Sequence, residues 1–329
     1  MRLLRHRGRK ILDPVVKAAV SVGLLGLLLS RINLGPIAKS LFNIDWAWLM
    51  VALLLGLSST LVQASQWQRL LLALGLERTI ARSLRIIFVG NTFNTVLPSS
   101  IGGDAARAVY MADEPGERAP AAVAVVLQRL LNFPGMVLLM GLGLMLTITS
   151  SAAARTRPLA LLAAVTGIVL LGVMLSPLLG RIANSGIVSW LPGWDVLAKG
   201  LRLLDGIRAR RIELLAASGR GVLFWSLSVL NQWSYMQAAG LRPSLGYAAV
   251  VVTLVNGLTM FPISINGYGA REGGYTALLA GVGLATPAQA ISVGLLVSAQ
   301  GLLFGLVGLG CLLSLPGASP AKEVQRCES

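Results

Sequence analysis

Long uninterrupted apolar stretches recur along this chain, near residues 14–30, 46–66, 121–149, 158–176, 221–239 and 288–315. A helix needs about 20 apolar residues to cross a hydrocarbon core roughly 30 Å thick. Within that core every backbone N–H and C=O must find its partner inside the protein, so only helices and closed barrels can span it. Barrel strands alternate apolar and polar residues, whereas these runs are continuous. The chain therefore reads as an all-α polytopic membrane protein. Its charged fraction agrees: 12% of 329 residues, against roughly 25% in a soluble domain.

The formal net charge of +15 raises nucleic acid as a partner, but no basic stripe interleaved with aromatics and no zinc-finger spacing accompanies it. Lys and Arg in an apolar chain gather in cytoplasmic loops and meet anionic headgroups there. Membrane lipids with an anionic headgroup are thus the expected partners, and nucleic acid is not. A second copy of the chain or a lipid-biosynthesis enzyme is the expected protein partner. The two cysteines, Cys311 and Cys327, have no metal-site spacing, and the one histidine, His6, lies in the basic N-terminal arm. No metal and no cofactor is expected.

These signals divide the chain into a basic cytoplasmic arm (1–13), a first transmembrane repeat (14–149), a second (150–315) and a polar cytoplasmic tail (316–329). Residues 195–220, with Leu197, Leu201, Leu204 and Ile207 on one helical face, predict an amphipathic cytoplasmic stretch. Trp46, Trp48 and Trp67 are placed like an aromatic belt at the two ends of one span.

Two segments begin as apolar helices and then break. Pro98 to Arg107 reads P-S-S-I-G-G-D-A-A-R, and Pro262 to Arg271 reads P-I-S-I-N-G-Y-G-A-R. Both fit P-x-S-I-x-G-x-x-A-R, and an asparagine precedes each proline, Asn94 in one case and Asn256 in the other. Each arm is too short to span, which predicts a re-entrant hairpin at each break. Three crossings between the breaks would invert one hairpin relative to the other. The expected fold is a helical bundle of two inverted-topology repeats, the arrangement in which broken helices mark a transporter's central site.

The residue types suit that role. Pro98 and Pro262 stop a helix, and Gly103 and Gly267 let the chain turn. Ser100, Ser264 and Asn266 can satisfy freed backbone groups or bind substrate, and Asn94 lies beside the first break. Arg107 and Arg271 offer fork-shaped donors that match a phosphate. Asp104 either caps the helix after Gly103 or contacts substrate. Glu272 either answers a helix dipole or holds the neighbouring arginine. Arg107 either snorkels to the surface or lines the path. Arg129, beside Gln128 and Asn132 within an apolar run, is an intramembrane charge and so a functional candidate.

Leu97 to Arg107, Val125 to Leu131 (V-V-L-Q-R-L-L) and Pro262 to Glu272 together resemble the membrane region of bacterial lysylphosphatidylglycerol synthases and their stand-alone flippase-like relatives. The resemblance implies a bundle with broken helices in the bacterial cytoplasmic membrane that moves lipids between leaflets. Asp104, Arg107, Arg129, Arg271 and Glu272 are the matching motif positions. No aminoacyl-transfer domain, and so no lysine transfer, is expected, and Gln128 stands where the family pattern often has an acidic residue. The expected function is a flippase or transporter for an anionic phospholipid, an aminoacylated phospholipid or a polyprenyl-phosphate-linked lipid. The alternative is an intramembrane enzyme transferring a glycosyl or phosphoryl group on a lipid-linked substrate.

Overall fold

The computed structural model describes residues 34–96, 100–147, 211–260 and 265–315, with isolated positions at 158, 161, 162 and 165. The apolar runs at 14–30 and 158–176, most of the 195–220 stretch, the tail, and Pro98, Pro262, Ser264 and the Ser100 side chain lie outside the described residues or nearly so.

All regular structure among the described residues is helical: α1 (Leu34–Phe42), α2 (Trp46–Ala73), α3 (Ile80–Val96), α4 (Ser100–Met111), α5 (Arg118–Leu146), α6 (Arg211–Ala238), α7 (Leu245–Met260), α8 (Ala270–Tyr275) and α9 (Pro287–Leu313). Single 3-10 turns precede α5 and α8, and a π turn, Thr276–Ala280, follows α8. By length and composition α2, α5 and α9 can each cross a membrane, while α7 is apolar but shorter.

Local chemistry sets several ends. The Asp45 carboxylate accepts from the Ala47 and Trp48 amides and starts α2. Thr286 and Gln289 form a capping box, with Pro287 at the first position of α9. At a rise of about 1.5 Å per residue, α3 and α7 reach only about 25 Å, short of a 30 Å core.

Two runs of elements carry the same order: a long helix, a shorter helix, a break, a short helix and a long helix (α2 to α5, then α6 to α9). At the first hairpin, Arg78 Nη2 reaches Asp113 at 2.9 Å and Glu117 at 2.6 Å, so the start of α3 meets the end of α4. That end shares a core with Ala121, Ala217 and Leu315. At the second hairpin, the Tyr247 hydroxyl donates to the Leu278 carbonyl at 2.6 Å, in a core with Ala239, Leu241 and Ala290.

α2 and α6 run antiparallel through the centre. Asp45 N donates to Ala238 O at 3.0 Å at one end, and Gln66 Nε2 donates to Ala217 O at 2.9 Å toward the other. α9 lies along α3 at close range. Thr92 Oγ1 donates to Gly305 O at 2.7 Å, and a Cβ on Gly308 would overlap the Phe88 carbonyl.

Two expectations need correction. Trp67 is fully buried, because α2 continues to Ala73 and turns this ring inward; it is no belt residue. α6 is described from Arg211, so residues 211–220 are helical and run on into the rest of that long helix, while the rest of the 195–220 stretch lies outside the described residues. α4 begins at Ser100, so Asp104 lies within the helix and does not cap it. The sequence reading also placed no helix at α1, which packs Ile37 against Ala288 and Ile291 of α9.

Candidate functional site

A cavity of about 220 Å³ lies in the middle of the bundle, walled by α2, α3, α6, α9 and the second break. Gly56, Ser59 and Thr60 come from α2, Asn91 and Asn94 from α3, and Asn231 and Gln232 from α6. Val297, Gln300, Gly301 and Phe304 come from α9, and Asn266 and Arg271 from the break. The lining is mostly carboxamide and hydroxyl, unlike the apolar surfaces of the same helices. A Cβ on Gly56 would overlap the Gln300 amide; the missing side chain makes room for that amide at the wall.

The turn after the second break positions Arg271. Asn266, Gly267 and Gly269 take φ of 48°, 77° and 80°, the left-handed region that glycine enters freely and asparagine tolerates. This turn brings the Asn266 carbonyl to Arg271 Nη2 at 3.2 Å. Arg271 Nη1 donates to Ser298 Oγ at 2.9 Å. Ser298 in turn donates to Glu272 at 2.8 Å, and the other Glu272 oxygen accepts from the Gly269 amide at 2.7 Å. Glu272 is only 1% exposed. It answers the guanidinium charge through one hydroxyl and leaves Arg271 at the cavity wall.

The first break builds a different cluster. The Asn94 carboxamide oxygen accepts from the Gly103 amide at 3.0 Å, fixing α4 against α3. Arg107, 7% exposed, lies 4.2 Å above the Trp67 ring and donates to Gln128 Oε1 at 2.5 Å. Gln128 donates onward to the Gln63 carbonyl at 2.7 Å. Asp104 holds Arg107 at 3.6 Å and Arg129 Nε at 2.5 Å. Gln128 therefore serves Arg107, and Arg129 is paired with Asp104.

Of the predicted residues, Asn94, Asn266 and Arg271 reach the cavity. Gly103, Gly267 and Glu272 shape its edges. Asp104, Arg107 and Arg129 gather in the separate cluster, away from the lining. Sequence reasoning missed Ser59, Thr60, Asn91, Asn231, Gln232 and Gln300. Their signal was present, since a carboxamide in the centre of an apolar helix such as Gln300 needs a partner or a cavity. Among the described residues no group of three His, Cys, Asp or Glu could hold a metal ion.

The family described as the lysylphosphatidylglycerol synthase TM region matches residues 15–308. That span contains both breaks, the cavity and both arginine clusters. The chain belongs to this family. No curated protein matches it. As a lysylphosphatidylglycerol synthase TM-region protein with three long apolar helices, it is a multi-pass membrane protein with a lipid-related function.

Proposed function

We propose that the chain moves a lipid with an anionic headgroup between the leaflets of a bacterial cytoplasmic membrane, with both termini on the cytoplasmic side. The observation that carries this reading is the central polar cavity with Arg271 at its wall. A headgroup stripped of water in hydrocarbon loses several kcal/mol unless polar partners replace that water. The carboxamides, hydroxyls and one guanidinium of the cavity supply such partners. The two runs of elements act as inverted repeats: the hairpin joined by Arg78, Asp113 and Glu117 opens at one end, and the hairpin joined by Tyr247 and Leu278 at the other. Rocking one repeat against the other would expose the cavity to each leaflet in turn.

The test is lipid translocation in proteoliposomes, read by dithionite quenching of fluorescent phosphatidylglycerol. Arg271→Ala is expected to abolish movement while the protein keeps its melting temperature. Undiminished movement by that variant would remove Arg271 from the path. Lipids extracted after the assay are expected to keep their masses; a new lipid mass would favour group transfer.

A further inference from the structure

We propose that the cavity selects a hydroxyl-rich headgroup carried on a single phosphate and rejects an aminoacylated, cationic one. This inference rests on the transport reading for its lipid context and goes beyond it in naming the headgroup chemistry. Six carboxamides face the space: Asn91, Asn94, Asn231, Gln232, Asn266 and Gln300. A carboxamide offers donors and an acceptor side by side, which matches a hydroxyl in both of its roles and carries no charge. Several retain that capacity. Asn91 and Gln300 have no side-chain hydrogen bond among the described residues. Gln232 accepts from Tyr275 and Asn256 through its oxygen, leaving its NH2 group for the cavity. Asn94 likewise uses its oxygen on Gly103.

Charge decides the rest. Arg271 is the one cation in the described lining, and no carboxylate is present there. The neighbouring Glu272 is 1% exposed and has both oxygens occupied by Gly269 and Ser298. One guanidinium matches one phosphate. An aminoacyl ammonium would enter without a counter-ion, beside Arg271, and an unpaired charge in such a place is strongly disfavoured. At about 220 Å³ the space is smaller than the roughly 300–1,000 Å³ of pockets that enclose a drug-sized molecule, and so too small for a whole lipid.

The experiment is calorimetric titration of the full-length protein in detergent with four probes. They are dioctanoyl phosphatidylinositol, dioctanoyl phosphatidic acid, dioctanoyl lysylphosphatidylglycerol and tail-less inositol 1-phosphate. Phosphatidylinositol is expected to bind at least about tenfold tighter than phosphatidic acid, the scale of one or two well-made hydrogen bonds. It should bind tighter by a similar margin than lysylphosphatidylglycerol, which brings an unpaired ammonium, and inositol 1-phosphate, which lacks the chains that hold a lipid beside the cavity. Gln300→Leu and Asn91→Leu should each lower its affinity by about tenfold and leave phosphatidic acid unchanged. Equal binding of phosphatidylinositol and phosphatidic acid overturns the hydroxyl preference. Lysylphosphatidylglycerol binding as tightly overturns the charge argument, and inositol 1-phosphate binding as tightly overturns the lipid assignment. If the variants do not fold, the ranking on the unaltered protein decides. Selective binding without translocation would sink the transport reading and leave this one standing. Translocation blind to headgroup would do the reverse.

Discussion

Arg107 and Arg271 hold the same place in a repeated motif yet sit in opposite surroundings. Arg107 is sealed between Gln128, Asp104 and the Trp67 ring, whereas Arg271 leans on a hydroxyl and a carbonyl at the cavity wall. Truncating a buried, paired charge strands its partners, at about 3–5 kcal/mol. Arg107→Ala is therefore expected to lower the melting temperature clearly, and Arg271→Ala to affect transport more than melting; thermal unfolding of the two variants checks this. The opposite ordering would exchange their roles. Both arginines were visible in the sequence because Pro, Gly and Arg at fixed spacing mark a break. Their different surroundings were not, because these depend on Gln128 and Trp67, which reach Arg107 from two other helices. Gln300 and Asn231 escaped for a related reason: neither sits near a break, and only helix packing brings them to one space.

Glycines separate rigid contacts from adaptable ones. On Gly308 a Cβ would strike the Phe88 backbone carbonyl, while on Gly56 it would strike the movable end of Gln300. Gly308→Ala should destabilise the α3–α9 contact by about 1–3 kcal/mol, the range for overpacking. Gly56→Ala should melt close to the parent and alter binding in the cavity; equal melting of both variants would contradict the packing described. At the first hairpin, a hydrogen bond from Arg82, with Arg78 nearby, holds the Asp113 carboxyl below its usual range. The Asp113 amide and then Arg78 do the same for Glu117. Lowered values in the folded protein mean that the clamp is complete above the ordinary carboxylate pKa of about 4 and is lost as pH falls through the lower folded values. A spin label at Ala112→Cys should thus keep constant mobility from pH 8 to 5 and loosen only in stronger acid. Loosening near neutrality would exclude these carboxylates as the cause. The hairpins and α9 were legible from punctuation and hydropathy. The short α1 was not, because Gly35 and Pro36 read as linker and its fixed position comes from Ile37 on α9.

For the whole molecule, the opposed hairpins make a simple forecast about sidedness. In a background lacking Cys311 and Cys327, single cysteines at the exposed positions Ala81 and Glu114 should label from the cytoplasm, and those at Ser244 and Thr286 from the other side. Labelling of all four from one side would end the inverted-repeat reading. The membrane class was legible because hydropathy is a bulk property that no packing detail alters. The cavity belongs to the assembled bundle, and no single segment carries its pattern. Its modest volume has a consequence for the living membrane. On the transport reading, a space of about 220 Å³ would take a head and leave the fatty chains outside, so the chains would anchor the lipid without their length and saturation being read at the cavity. A cell that remodels its fatty acids in the cold would then be expected to change the fluidity around this protein and not its choice of headgroup.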